Sequence, residues 1–230
     1  MTEKQRKKRM TLESSKNLGG VGALLMFIGI FPYINTFGIV ELIGAILLLV
    51  ALHGFASYYK EQGIFNNAIY GIIAGIVGVV VAVAIGILIV LPSIKDFLLK
   101  IYPSWNGNWS SLSSLSSMTP VTKNIGFSDI VPFITAAIVI FLILWIFAII
   151  AAFFVRRSLK QLSTKSNFGL FSTTGLLLLI GAVLIIIFGI GAILMWIATL
   201  ILAIAFFTMK PQEAQPSPMA TASSPQPTPV

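Results

Sequence analysis

The chain has 230 residues, of which 57% are hydrophobic and only 10% charged, and its mean hydropathy is +0.97. Soluble globular proteins carry roughly 25% charged residues, so this composition excludes a soluble enzyme or binding domain and indicates an integral membrane protein. Cysteine is absent and His53 is the only histidine, which excludes disulfides, thiolate metal sites and any site with two histidines.

The first segment is strongly basic and contributes to a net charge of +8, with KQRKKR at residues 4–9. Because this cluster directly precedes a hydrophobic run, it is typical of a cytoplasmic anchor that contacts anionic lipid headgroups, not of a nucleic-acid-binding arm. Residues 1–17 are therefore predicted to be a basic cytoplasmic segment. No A-x-A-like cleavage site follows the first run, which we expect to be retained.

Residues 18–209 are predicted to form an all-α, polytopic transmembrane helical bundle. Apolar runs recur there at about 20 residues, the length with which a helix crosses about 30 Å of hydrocarbon. Six spans built as hairpins are predicted, at 18–34, 37–55, 68–91, 130–155, 172–188 and 189–207.

The last two spans come from one charge-free run, 171–207. As a single helix, with a rise of ~1.5 Å per residue, this run would be about 55 Å long, nearly twice the thickness of the hydrocarbon. We therefore predict a hairpin turn at Gly189 and Gly191, since glycine readily adopts the positive φ that such a turn requires. The alternative, five spans, moves only Lys210 to the other side of the membrane.

The positive charges predict the orientation. With the N-terminus inside, six spans leave all but three of the 15 lysines and arginines on the cytoplasmic side. The three outside are Lys95, Lys100 and Lys123. This distribution follows the positive-inside rule and predicts that both termini are cytoplasmic in a multi-pass protein of the cell membrane.

Two further segments are predicted to lie outside the membrane. The outer loop, 92–129, contains an amphipathic pattern in PSIKDFLLKIYP, typical of a short interfacial helix, and a serine-rich stretch expected to be a mobile surface loop. It also carries the glycosylation pattern Asn108-Trp109-Ser110. Residues 210–230 are rich in proline, serine and glutamine and are predicted to be a disordered cytoplasmic tail.

The third span carries a stripe of small residues. Such spacing lets two helix backbones approach closely, which predicts a position at the bundle centre or in the seam of a homo-oligomer. A glycine-lined pore is the alternative. The stripe consists of Gly71, Ala74, Gly75, Gly78, Ala82 and Gly86.

Glu41 is the acidic residue that lies well inside an apolar run, which makes it a candidate for ion coupling. It lies only four residues after the start of its span, however, and therefore close to the outer headgroups. No nucleophile–base motif, phosphate loop or dinucleotide fingerprint occurs, so neither catalysis nor a cofactor is expected.

A short internal similarity links two predicted hairpins. GALLMFIGI at 22–30 resembles GAVLIIIFGI at 181–190, and each stretch lies in the first helix of a hairpin. A parallel repeat would produce this similarity, and so would chance in so restricted an alphabet.

Three passages together indicate a family: SKNLGGVGALLMFIGI, ALHGFASYYKEQGIFNNAIYG, and RRSLKQLSTKSNFGLFSTTGLLLLIGAVL leading to ILAIAFF. They resemble an uncharacterised family of multi-pass membrane proteins found mainly in archaea, a domain-of-unknown-function family, over residues 15–209. The resemblance implies an archaeal cell-membrane protein and supplies no functional residues.

Because the spans carry few buried polar groups, we expect a non-enzymatic structural, accessory or scaffold component. It would act through lipids, copies of itself or a membrane-complex partner. The alternative is a small transporter or channel that uses Glu41 and the small-residue stripe.

Overall fold

The computed structural model describes residues 3–29, 31, 38–123, 125–187 and 189–210, and over these ranges the chain is all-helical, without strands. The all-helical part of the predicted fold class is thereby confirmed for these residues. Six α-helices and one 3-10 helix form: α1 (Glu3–Gly29), α2 (Ile39–Tyr59), α3 (Gln62–Ile101), the 3-10 helix (Trp109–Ser117), α4 (Phe127–Ser166), α5 (Leu170–Leu184) and α6 (Ile190–Thr208).

Four helices, α2, α3, α4 and α6, are long and apolar enough to cross a membrane. The other two predicted spans are shorter. α5 has 15 residues, about 22 Å, and α1 becomes continuously apolar only from Leu18. α1 is helical from Glu3 onwards and so includes most of the predicted basic segment, 1–17. The number of crossings and the side of the termini stay predictions.

The six helices form a closed ring in which α6 returns to α1. Neighbours are antiparallel, as short connections require. In the first pair, for example, Gly22 lies against the backbone of Gly44, while Gly54 lies near Ser15. The connection between the first two predicted spans, 18–34 and 37–55, and the tail from residue 211 lie outside the described residues.

Helices α3 and α4 are the longest, with 40 residues and about 60 Å each. They stay in contact along their whole length. At one end the Asn67 amide donates to Gln161 at 3.2 Å, and at the other Lys100 pairs with Asp129 at 2.6 Å. The pair therefore extends well beyond the four shorter helices at the end where the 3-10 helix lies.

The predicted interfacial helix after Pro92 is instead the continuation of α3 to Ile101. Proline removes the N–H that would bond the Leu88 carbonyl, yet the helix continues. The hydroxyl of the next residue, Ser93, donates to the Ile89 carbonyl at 2.8 Å. The apolar side of this segment packs on α4, where the rings of Phe97 and Phe133 are 5.6 Å apart. The connection to α4 therefore begins only at residue 102.

The serine-rich stretch also differs from the expectation of a mobile loop. It forms the 3-10 helix, in which the Ser114 and Ser117 hydroxyls donate to carbonyls three residues earlier at 2.7 Å. Trp105 is only 3% exposed, and its indole donates to the Ser111 hydroxyl at 2.9 Å. Sequence composition indicates low complexity, whereas these hydroxyls provide local hydrogen bonds that stabilise the 3-10 helix.

The small-residue stripe of α3 lies mainly against α4, within the chain. Ala82 is buried and Ala74 half-buried, whereas nothing lies within 4 Å of where a side chain on Gly75 would begin. Close packing between α3 and α4 therefore depends on part of the stripe only. The glycines in contact with α4 are Gly71, Gly78 and Gly86.

Substitution within this stripe should separate packing from helix propensity. In Gly78→Val a Cβ would lie 2.5 Å from that of Phe147, so we expect a loss of about 2 kcal/mol through overpacking. The matched control, Gly75→Val, should stay within about 0.5 kcal/mol of the wild type, because valine has a slightly better helix propensity than glycine and the space is open. Thermal unfolding of the purified protein in detergent measures both. Equal stability of the two variants would contradict the assignment of the α3–α4 contact.

Candidate functional site: an apolar cavity at the centre of the ring

The ring of six helices encloses a cavity of about 340 Å³ to which every helix contributes. This volume lies at the lower end of the roughly 300–1,000 Å³ typical of small-molecule sites. The space exists because small residues face the centre from α2, α3 and α4, where larger side chains would fill it. These residues include Ala45, Ala68, Ala148 and Ala152.

The chemistry of the lining is almost entirely apolar. Thr199 supplies its polar side chain, and that hydroxyl already donates to the Trp196 carbonyl at 2.7 Å. The lining residues include no charged group, no histidine and no amide. The cavity can therefore bind an apolar group, and its walls offer nothing for proton transfer or ion coordination.

A surface groove between α2 and α3 adjoins the cavity. Ile46, Val50 and Phe65 line the groove, and Leu49 lines both the groove and the cavity. His53 also lines the groove and packs edge-on against Phe65, with ring centroids 4.7 Å apart. Leu49 therefore lies between the cavity and the outer surface on this side.

Of the neighbouring pairs in the ring, α2 and α3 make the least contact. Leu42 of α2 is 61% exposed and Ile76 of α3 is 59% exposed, so both helices present large apolar side chains to the surroundings of the ring.

A cluster of buried polar groups joins α3 to α4 close to the cavity, and sequence reasoning missed it. Asn67 is buried and contacts Gln161, while the buried Ser158 hydroxyl donates to the Ile64 carbonyl. These groups satisfy one another in an apolar environment and fix the pair of helices. The available signal was Asn67 at the start of an apolar run.

Basic side chains near the end of α4 lie on a face of that helix that does not line the cavity. Lys165 pairs with Glu61 at 3.1 Å, and a shallow groove is lined by Arg157, Lys160 and Thr164. Exposed cations in this position are typical of contact with anionic headgroups.

Glu41 is half-buried and lies in the first turn of α2, a helix that begins directly after Gly38. A carboxylate there interacts favourably with the positive end of the helix dipole. It lies one helical turn beyond Ala45, but it does not line the cavity and is not beside the small-residue stripe of α3.

Asn108 is exposed and caps the 3-10 helix, and its side-chain oxygen accepts a hydrogen bond from the Ser110 N–H at 3.1 Å. Its surface position suits the predicted glycosylation pattern.

The glycines of the predicted turn lie where α5 gives way to α6. Gly189 has φ of 74° and precedes α6, and Gly191 lies against the backbone of Gly181 on α5. The hairpin of α1 and α2 has the same features. Its glycines are Gly38, with φ of 72°, and the contacting pair Gly22 and Gly44.

Two tryptophans donate to backbone carbonyls at the ends of these hairpin helices. The Trp145 indole donates to the Ala182 carbonyl of α5 at 3.0 Å, and the Trp196 indole donates to the Phe27 carbonyl of α1 at 3.1 Å. The last four carbonyls of a helix have no partner within it, so each indole satisfies one of them.

Fold and cavity together define a class: an apolar, all-helical bundle compatible with a membrane, with an apolar cavity at its centre. Over the ranges that the structure describes, no group of three or more histidine, aspartate or glutamate side chains could hold a metal ion.

The chain belongs to the family described as "Protein of unknown function (DUF996)", which matches residues 40–200. The family resemblance seen in the sequence is thereby confirmed. The chain is also 23% identical over 202 residues to the uncharacterized protein MJ1644 of Methanocaldococcus jannaschii, covering 87% of this chain and 94% of the relative. No solved structure matches it.

Proposed function

We propose that this protein is a non-enzymatic, multi-pass component of the cell membrane that has a structural, accessory or scaffold role and acts through partners. The observation that carries the proposal is the apolar lining of the central cavity, which includes no charged group and no nucleophile–base pair. A chain that places helix surfaces, not reactive groups, at its centre is suited to association with other membrane components.

The partners we propose are membrane lipids and membrane proteins, either other subunits or further copies of the chain, and not nucleic acid. The outer faces of α3 and α4 support this proposal. In their most apolar segments only 11% and 6% of residues are buried within the chain. Leu88, for example, is 74% exposed. Apolar surface of this extent suits lipid chains and other membrane helices.

We also propose that both termini are cytoplasmic. Two observations support this: neighbouring helices are antiparallel, and Lys60 lies at the same end of the ring as the basic residues of α4. An even number of antiparallel helices returns the chain to the side from which it started. This holds whether or not all six predicted spans cross completely.

Affinity purification tests the role. With a tag on the C-terminal tail and gently solubilised native membranes, we expect a stoichiometric companion or a homo-oligomer. The double variant Val80→Ala, Leu88→Ala changes the outer face of α3. It should lower recovery of the companion or of the second copy about tenfold, because each truncation removes apolar contact worth about 1 kcal/mol or more. The matched control Leu42→Ala, Ile193→Ala, on α2 and α6, should not. Recovery of a solitary monomer would contradict the proposal.

A transporter or channel is the second candidate, and one observation favours it: Glu41 lies one turn beyond the cavity-lining Ala45 on α2. For our proposal we expect no proton- or cation-coupled flux in proteoliposomes, either with the wild type or with Glu41→Gln. The control is Glu61→Gln, since Glu61 pairs with Lys165 away from the cavity. A flux that Glu41→Gln abolishes and Glu61→Gln preserves would establish the transporter instead.

A further inference from the structure

The central cavity needs an apolar occupant. A buried water requires two to four polar partners, and Thr199 has already donated its hydroxyl hydrogen to the Trp196 carbonyl. An empty cavity would leave its lining without contacts on one side, which weakens packing. In a membrane, the apolar groups available to fill it are lipid chains.

We propose that the cavity is a binding site for one hydrocarbon chain of a membrane lipid, which enters from the side between α2 and α3. The groove lined by Ile46, Val50 and Phe65 would receive the chain first. From there the chain has only to pass Leu49, the residue shared by groove and cavity. This inference requires a membrane location but does not depend on the scaffold role.

The volume and the lining define what is recognised. About 340 Å³ lies near the lower limit for a small-molecule site and suits part of one chain, not a whole two-chain lipid. The headgroup would remain outside, near the end of the groove at His53. Recognition therefore rests on the hydrocarbon chain, so that lipids with different headgroups should bind.

Photo-crosslinking tests this site. The probe is a phosphatidylcholine with a diazirine midway along one acyl chain, incorporated into phosphatidylcholine vesicles with the purified protein. Labelled residues are identified by tandem mass spectrometry. We expect labels on Ala152 and Leu52, which are buried and which surrounding lipid cannot reach, in addition to exposed residues such as Leu88. Labels on exposed residues alone would overturn the proposal.

Filling the cavity from either wall provides the control. Ala148→Phe and Ala45→Phe should each reduce labelling of the buried residues about tenfold, because the added ring occupies the space of the chain. Ile146→Phe, on the exposed side of α4, should leave it unchanged. Undiminished labelling in both cavity variants would also overturn the site. If neither variant folds, the wild-type labels at Ala152 and Leu52 decide.

A second inference concerns the depth of the turn between α5 and α6 and rests on different contacts. The Trp145 indole reaches the Ala182 carbonyl, so the end of α5 is level with Trp145 of α4. The charge-free part of α4 runs from Ile130 to Val155. At ~1.5 Å per residue, Trp145 lies about 22 Å from its outer end and about 15 Å from its inner end.

The outer part of the α3–α4 pair is apolar and exposed. Leu88 is 74% exposed and Ile138 53%, and both lie beyond the level of Trp145. Such surface is stable only in hydrocarbon, so the membrane must extend past the turn. At the other end, Arg156 follows directly after Val155 and marks the inner boundary.

The turn itself is suited to hydrocarbon. Ile185, Ile186 and Ile187 carry no polar side-chain atoms, and the Ile187 N–H donates to the Leu184 carbonyl at 3.0 Å. Unsatisfied backbone groups cost several kcal/mol in lipid, and here the Trp145 indole supplies a further donor. At the end of α1, Trp196 does the same.

We therefore also infer that the hairpin α5–α6 enters the membrane from the cytoplasmic side and turns within it, although α6 is long enough to cross, whereas α3 and α4 cross completely. This departs from six full crossings, but it keeps both termini on one side. It also places the cavity and its lateral opening in the inner half of the bilayer.

The absence of cysteine makes accessibility measurements direct. In sealed vesicles, a membrane-impermeant maleimide should not label Ile187→Cys from either side, although the same variant should react fully after solubilisation in SDS. Ser116→Cys, in the 3-10 helix, should react only from outside, and Thr164→Cys, near the end of α4, only from inside. Labelling of Ile187→Cys from outside, as strong as that of Ser116→Cys, would overturn the inferred depth and support a complete crossing.

Discussion

Close approach of helix backbones at glycine holds this ring together, because a lipid solvent gives apolar side chains little reason to leave it. Within each hairpin a glycine pair brings the two helix backbones into contact: Gly22 with Gly44 between α1 and α2, and Gly181 with Gly191 between α5 and α6. Gly78 lets α3 approach Phe147 of α4. Each contact gains dispersion energy over a length of helix that larger residues would hold apart. The closed ring, and with it the enclosed cavity, depends on these few positions.

The cavity also depends on small residues. Where glycine faces a neighbouring helix it draws backbones together, and where alanine faces the centre, as at Ala45 and Ala148, it leaves volume unfilled. Contact between α2 and α3 is the sparsest in the ring, so in a membrane this is the part of the ring most easily reached by lipid. An apolar cavity beside this sparse helix contact is better suited to a lipid chain than to a soluble substrate.

Polar groups have mainly structural roles. Between α3 and α4, Asn67 donates to the Gln161 side chain and Ser158 donates to the Ile64 carbonyl. The indoles of Trp145 and Trp196 donate to carbonyls at helix ends. Glu41 lies where a helix N-terminus favours a negative charge. In a membrane, backbone N–H and C=O groups must find hydrogen-bond partners within the protein, and these polar side chains provide several of them.

The sequence by itself determined the family and an all-helical, apolar class compatible with a membrane, because composition and the length of apolar runs depend only on residue type. It also indicated glycine at the turn before α6, since few other residues adopt φ near 74°. It did not indicate that α3 continues through Pro92, that the serine-rich stretch forms a 3-10 helix, or that alanines leave a cavity. Only the tertiary structure decided these features, because they depend on which helix lies opposite each residue, and linear spacing within one helix does not specify its neighbour.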